Sequence, residues 1–118
     1  MNETDLQQAI DPMGRMNDPD GSAWITGLCG DTMEFYLVIS HNTISQAWYH
    51  TDGCSSSRLC GSTAARLAQG KSVDEVLSIS PGQILQMYPD LPSDGVHCSI
   101  LAVSTLHKAL AEWLLKVR

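Results

Sequence analysis

The sequence predicts an α+β fold, in which helices pack on one face of a three-stranded antiparallel sheet in the N-terminal half. Two patterns support this prediction. From residue 24 to residue 50, apolar and polar side chains alternate with the period of two that is typical of strands. After Gly53 the apolar residues take the spacing of helices, and the last helix is long. Strands followed by helices are typical of α+β domains.

The three strands are predicted at residues 24–28, 32–40 and 43–50. The pair His41-Asn42 is a candidate tight turn between the last two strands. The strands should therefore form a meander in which neighbours are antiparallel.

Residues 1–23 are expected to form a flexible N-terminal arm, and residues 24–118 a single domain. A short helix is predicted from Glu3 to Ile10. Closely spaced turn signals follow it, among them Asp11-Pro12 and Asp18-Pro19.

Four helices are predicted after the strands. The first begins at a serine N-cap among residues 55–57 and runs to Gln69, with Gly70 as its stop signal. A capping box formed by Ser72 and Glu75 opens the second helix.

The third helix is expected to begin at Ser80-Pro81 and to end before Pro89. The fourth runs from about Cys98 to Val117, where a helical apolar stripe faces the core. The stripe consists of Val103, Leu106, Leu110, Trp113 and Val117.

The composition is that of an ordinary soluble globular domain. The 118 residues are 43% hydrophobic and 17% charged, and a chain of this length buries roughly two-thirds of the surface that it exposes when unfolded. A net charge of -6 with only seven Lys and Arg residues argues against nucleic acid or an anionic membrane as a partner, because both need clustered positive charge.

The polar, acidic start of the chain lacks the basic and apolar regions of a signal peptide. No apolar run approaches the roughly 20 residues that span a bilayer. We therefore expect a cytoplasmic protein. In that reducing compartment the four cysteines are better explained as metal ligands or reactive thiols than as disulfides.

Three cysteines stand at junctions between predicted elements. Cys29 lies in a Gly-Leu-Cys-Gly-Asp turn between the first two strands, with Asp31 two positions later. Cys54 precedes the first helix, and Cys98 follows His97 at the start of the last one. The positive end of a helix dipole lowers the pKa of a nearby thiol, so reactive thiolates are predicted at both helix starts.

Taken alone, each of these cysteines is equally well interpreted as a small buried apolar residue, because the chain has no Cys-x-x-Cys pair. Their shared position in Gly- or Ser-rich turns, beside a carboxylate or an imidazole, favours a joint role. Three thiolates with these two groups match either a tetrahedral zinc site or a 2Fe-2S cluster.

The remaining cysteine and the tryptophans are expected to be structural. Cys60 lies six positions after Cys54 on the same predicted helix and points away from its N-terminal end, so a core thiol is predicted. Trp24, Trp48 and Trp113 belong to different elements and are also expected in the core.

The chain resembles the IscU and NifU N-terminal iron-sulfur cluster scaffolds from about Gly27 to the C-terminus. Cys29-Gly30-Asp31 is similar to the first ligand motif of that family, and Gly53-Cys54 is similar to the second. Residues 97–102, His-Cys-Ser-Ile-Leu-Ala, are similar to the third. Residues 70–75 also resemble the Gly-Lys-Ser-x-Asp-Glu segment of the family.

The resemblance implies the α+β fold of IscU and SufE and a scaffold rather than an enzyme, with no catalytic residue. A cysteine desulfurase would supply sulfur, and apo-proteins would receive a transient 2Fe-2S cluster built with iron. The implied ligands of cluster and metal are Cys29, Cys54 and Cys98, with Asp31 or His97 as the fourth. An oxygen or nitrogen ligand holds a cluster more weakly than a thiolate, which suits release. Zinc could occupy the same ligands in purified protein.

Two segments depart from the family pattern. Residues 91–95 read Leu-Pro-Ser-Asp-Gly, where bacterial and mitochondrial scaffolds carry the Leu-Pro-Pro-Val-Lys site of an Hsp70-type chaperone. This difference argues against chaperone-driven release. Residues 11–15 only faintly match the N-terminal Asn-Pro-Arg-Asn segment, which bears on how the desulfurase is engaged. Both a monomer and a homodimer are compatible with the sequence.

A zinc-dependent persulfide transfer protein of the SufU type is the alternative interpretation. SufU proteins carry an insertion between the second and third motifs and lack the histidine before the last cysteine. This chain is compact in that interval and has His97, which favours the scaffold.

Overall fold

The computed structural model describes residues 11–28 and 30–117. It confirms the predicted fold class, because a three-stranded antiparallel sheet is followed by helices, the last of which is long. The predicted helix at Glu3 to Ile10 lies outside the described residues. The elements are β1 (Gly21–Thr26), β2 (Thr32–Ser40), β3 (Thr43–Thr51), α1 (Ser55–Ala68), α2 (Val73–Leu77), α3 (Pro81–Met87) and α4 (Gly95–Lys116).

The strands lie in the order β1-β2-β3, so β2 is central. Phe35 on β2 pairs with Ala23 on one side and Tyr49 on the other. These three side chains are buried under the helices, as the predicted alternation requires. The predicted tight turn between β2 and β3 is present, and both His41 and Asn42 have positive φ, which is the geometry of a two-residue hairpin turn.

β1 begins at Gly21, three residues before the predicted start at residue 24. The backbone N–H of Asp20 donates to the Leu37 carbonyl, and its carboxylate accepts from the N–H of Ile39. The strand therefore extends into a stretch of Asp, Pro and Gly residues whose composition indicates turns.

Residues 12–14 lie along the outer edge of β3. The Tyr49 N–H donates to the Pro12 carbonyl at 3.0 Å, and the Gly14 N–H donates to the Tyr49 carbonyl at 2.7 Å. The Tyr49 hydroxyl donates to the Asp11 carboxylate at 3.0 Å. The flexibility expected for residues 1–23 and the domain boundary at residue 24 stay predictions.

The helices cover one face of the sheet, with α4 against β1 and β2 and α1 against β3. Leu106 and Leu110 on α4 are fully buried, as the predicted stripe requires, whereas Val117 at its end is exposed. On α1, a Cβ atom added to Gly61 would lie 2.5 Å from a ring carbon of Tyr49. Gly61 therefore allows α1 to approach the sheet closely.

The predicted capping box of α2 and the predicted start of α3 at Ser80-Pro81 are confirmed. The Ser72 hydroxyl accepts from the Glu75 N–H, and the Glu75 carboxylate accepts from the Ser72 N–H. Ser80 and Gln83 make the same pair of bonds at the start of α3, with Pro81 in its first turn.

By length and composition, α4 could cross a membrane, and it is the one such helix within residues 11–28 and 30–117. Core helices of globular domains pass the same test. Half of its apolar window is buried inside the domain, and α4 packs against two strands and α1. We therefore describe it as the core helix of the domain.

Candidate functional site

Hydrogen bonds hold the end of β3 against the start of β2 and thereby position the loop before α1. The Thr51 hydroxyl donates to the Thr32 carbonyl at 2.8 Å and accepts from the Gly53 N–H at 3.1 Å. The Asp52 carboxylate accepts from the Thr32 N–H at 3.0 Å. These bonds bring Cys54, at the start of α1, beside Asp31, which directly precedes β2.

The hydroxyl of Ser57 lies between three of the predicted site residues. It donates to Asp31 Oδ2 at 3.0 Å, and its oxygen is 3.4 Å from Cys98 Sγ and 3.9 Å from Cys54 Sγ. Ser57 itself is fully buried. The loop before β2, the start of α1 and the start of α4 therefore meet at one side chain.

Cys54 occupies the N-cap position of α1, so the predicted serine cap among residues 55–57 is wrong. The serines instead fall in the first turn of the helix. The backbone N–H groups of Ser57 and then Ser56 lower the pKa of the Cys54 thiol, and the Ser57 hydroxyl lowers it further. The side chain is exposed. A solvent-accessible, activated thiol is thus present where the sequence predicts one.

Cys98 does not lie at a helix start, where a reactive thiolate is predicted, because α4 begins at Gly95 rather than near Cys98. Its N–H is already bonded to the Asp94 carbonyl, so the thiol lies one turn inside the helix. Cys98 is buried, and burial raises the pKa of its thiol, against a smaller opposing effect of the Ser57 hydroxyl. The expectation that the helix dipole activates Cys98 is therefore wrong.

A cavity of about 230 Å³ connects His97 with Asp31, Ser57 and Cys98. Asp31, Ser57, His97 and Cys98 line it together with apolar side chains of the first strand, the loop after it and α4. The imidazole of His97 is exposed. Asp31 and His97, the two candidates for the fourth ligand, thus lie on the same cavity.

Cys29 lies outside the described residues, so its place at the site stays a prediction. Among residues 11–28 and 30–117, no three His, Cys, Asp or Glu side chains are grouped closely enough to hold a metal ion. The ligand role of all five predicted residues is accordingly a proposal.

The sequence does not identify two residues of the site. It indicates Ser57 only as one of three candidate caps. Gly53 lies against the site, because a Cβ atom at this position would be 2.7 Å from both Asp31 Oδ2 and Ser57 Oγ. The signal in the sequence is the run of three serines after Cys54, which must place some hydroxyls on the inner side of the first helical turn.

Cys60 is confirmed as a core thiol. It is fully buried, and burial raises its pKa to about 12. Its sulfur faces the Gly95 carbonyl at 3.9 Å rather than Asp31 or Cys54.

Comparison with known proteins assigns this arrangement to a family. The sequence model of the NifU-like N terminal domain matches residues 11–118. The chain belongs to this family. The iron-sulfur cluster assembly scaffold protein IscU 1 of Archaeoglobus fulgidus is 30% identical to this NifU-like domain over 105 residues, covering 88% of the chain and 69% of the relative. The scaffold protein IscU of Haemophilus influenzae is 35% identical over 89 residues, covering 75% and 70%.

Solved structures share the fold of this NifU-like domain. A protein from Fervidobacterium islandicum AW-1, described as a scaffold for the SUF system, superposes with a TM-score of 0.68 at 19% identity, covering 93% of this chain and 96% of that one. The N-terminal part of a NifU-like protein from Brucella abortus superposes with a TM-score of 0.55 at 22% identity, covering 97% and 84%. At these identities the likeness concerns the fold alone.

Proposed function

We propose that this protein is a scaffold on which iron-sulfur clusters are assembled before transfer to apo-proteins. Membership in the NifU-like family supports the general role. The observation that carries the proposal for this chain is the meeting of Asp31, Cys54 and Cys98 around Ser57. Thiolates beside a carboxylate can bind an iron-sulfur cluster. Such a mixed ligand set binds the cluster more weakly than four thiolates do.

The proposed ligands are Cys29, Cys54 and Cys98, with Asp31 or His97 completing the set. Asp31 has the closer connection to the thiols, because the Ser57 hydroxyl links it to both Cys54 and Cys98. His97 shares the cavity with Asp31 and is more exposed. We therefore assign Asp31 as the fourth ligand and His97 as the ligand that can replace it.

Cys54 is the proposed acceptor of sulfur from a cysteine desulfurase. It is exposed, and the start of α1 favours its thiolate. The thiolate attacks the terminal sulfur of the desulfurase persulfide, a new S–S bond forms on Cys54, and the desulfurase cysteine leaves as a thiolate. Cys98 and Cys60 are both buried, so neither offers a partner the same access.

Anaerobic reconstitution tests the proposal. The protein is incubated with ferrous iron, cysteine and a cysteine desulfurase, followed by visible absorption and Mössbauer spectra and then by transfer to an apo-ferredoxin. We expect a 2Fe-2S spectrum that moves to the acceptor. Cys29→Ala, Cys54→Ala and Cys98→Ala should each abolish assembly, whereas Cys60→Ala removes a thiol from the same helix as Cys54 and should retain it.

The same experiment separates the scaffold from the zinc-dependent persulfide transfer protein. That alternative draws on the same exposed thiol, Cys54. A persulfide on Cys54 with tightly held zinc and no cluster under reconstitution would contradict the scaffold and establish sulfur transfer instead.

A further inference from the structure

We propose that Ser57 is a positioning residue of the ligand site. In the metal-free protein its hydroxyl holds the Asp31 carboxylate toward Cys54 and Cys98, and a metal ion then draws these three side chains, which are not yet close enough to hold it, together. The inference rests on the proposed function, and it assigns a task to a residue that is not itself a ligand.

The hydrogen-bonding capacity of a serine matches this task. A hydroxyl has one proton to donate and two lone pairs to accept with. In the structure the proton goes to Asp31 Oδ2, at 3.0 Å. The oxygen is then free to accept from the thiol of Cys98, at 3.4 Å, with the thiol of Cys54 at the edge of reach at 3.9 Å. One small side chain is therefore connected to three candidate ligands.

Burial makes Ser57 a fixed anchor for groups that are less constrained. Its side chain is fully buried in the first turn of α1, whereas Asp31 is only half-buried and lies in the loop before β2. Within residues 11–28 and 30–117, the Ser57 hydroxyl is the one side chain that hydrogen-bonds to the Asp31 carboxylate. This bond therefore helps to determine which way the carboxylate faces.

The backbone of Gly53 packs against both Asp31 and Ser57. A Cβ atom there would lie 2.7 Å from Asp31 Oδ2, 2.7 Å from Ser57 Oγ and 2.8 Å from the Asp31 carboxyl carbon. This packing is independent of the hydrogen bond and has the same effect, because it leaves little room for the carboxylate to turn away from Ser57.

The hydrogen bond occupies one carboxylate oxygen, Oδ2, so Oδ1 remains to meet a metal. Hydrogen bonds to ligating carboxylates orient them, and loss of such a partner costs about 10–100-fold in metal affinity. We expect a loss of about tenfold for Ser57→Ala, since Asp31 is one of several ligands.

Cobalt binding to the reduced, cluster-free protein under anaerobic conditions is the test. Co²⁺ reports bound thiolates through sulfur-to-metal charge-transfer absorption, and its ligand-field bands respond to the other ligands. We expect Ser57→Ala to raise the Co²⁺ dissociation constant about tenfold and to change the ligand-field bands. Ser57→Thr, which keeps the hydroxyl, should restore both.

A matched control and a double mutant separate positioning from a general effect on structure. Thr105→Val also removes a fully buried hydroxyl, but one that donates to the Leu101 carbonyl of its own helix, and it should leave cobalt affinity unchanged. If Ser57 acts through Asp31, then adding Ser57→Ala to Asp31→Ala should cause no further loss.

Unchanged cobalt binding in Ser57→Ala, or additive losses in the double mutant, would overturn the inference, as would a parent protein that binds Co²⁺ without thiolate charge transfer. Cobalt binding that depends on Ser57 in a protein that transfers no cluster would support the inference and overturn only the proposed function.

Discussion

Gly53→Ala should weaken metal binding while leaving the stability of the domain nearly unchanged. The added methyl group would lie 2.7 Å from Asp31 Oδ2 and from Ser57 Oγ, about 0.7 Å short of the 3.4 Å at which ordinary contact begins. Asp31 is the more mobile of the two because it is half-buried. The carboxylate should therefore be displaced, and its hydrogen bond to Ser57 broken.

The two free energies can be estimated separately. The lost hydrogen bond costs about 1 kcal/mol, which is below the usual range for a charged acceptor because a half-buried carboxylate regains water. Replacing glycine by alanine raises the free energy of unfolding by about 0.4–1 kcal/mol, because it restricts the unfolded chain and Gly53 has no positive φ. The free energy of unfolding should thus change by less than about 1 kcal/mol. Cobalt affinity should fall about tenfold, which corresponds to about 1.4 kcal/mol.

Urea unfolding followed by circular dichroism, together with the cobalt titration, measures both quantities on one preparation. Gly82→Ala is the matched control, because Gly82 is exposed and a Cβ atom there meets only Ser80 Oγ at 3.7 Å. Cobalt affinity equal to that of the parent would refute the reasoning. A loss of several kcal/mol in stability would refute it too, because the methyl group would then have displaced the backbone rather than Asp31.

Two further predictions concern the thiols and the carboxylate. In metal-free protein, iodoacetamide should label Cys54 well before Cys98 and Cys60, because the pKa of Cys54 is lowered and burial raises those of Cys98 and, to about 12, of Cys60. Mass spectrometry across a pH series would show this order, and early labelling of Cys60 would contradict it. Asp31→Ala should give a longer-lived cluster that transfers slowly to apo-ferredoxin, because a weak oxygen ligand is lost. Transfer at the parent rate would remove Asp31 from the mechanism.

The strands and helices were predictable because their signals are local. Alternation placed β2 and β3, the capping box of Ser72 and Glu75 placed α2, and the pair Ser80-Pro81 placed α3. Trp24 shows where hydrophobicity alone misled: it is 69% exposed although a core position was expected. The alternation contained the correct answer, because Ala23 faces the helices and the next residue must face the other side of the sheet.

The site was only partly predictable because its geometry depends on contacts between distant segments. The sequence identified Asp31, Cys54 and Cys98, and the structure brings them together. The sequence could not identify Ser57 as a site residue, since its contact with Asp31 joins residues 26 positions apart. The start of α4 was placed three residues late, because Gly95 is a weak helix former in isolation. Cys98 therefore lies inside the helix rather than at its start, and burial raises the pKa of its thiol instead of the predicted lowering.

The meeting of three chain segments at Ser57 also makes the proposed cargo a cross-link. A metal ion held by Asp31, Cys54 and Cys98 would tie the loop before β2, the start of α1 and the start of α4 to one another. Binding to the folded state alone raises stability, by about 2.7 kcal/mol at a concentration 100 times the dissociation constant. The metal-bound domain should therefore resist unfolding and proteolysis more than the metal-free one. Transfer of the cluster to an acceptor should accordingly lower the stability of the domain.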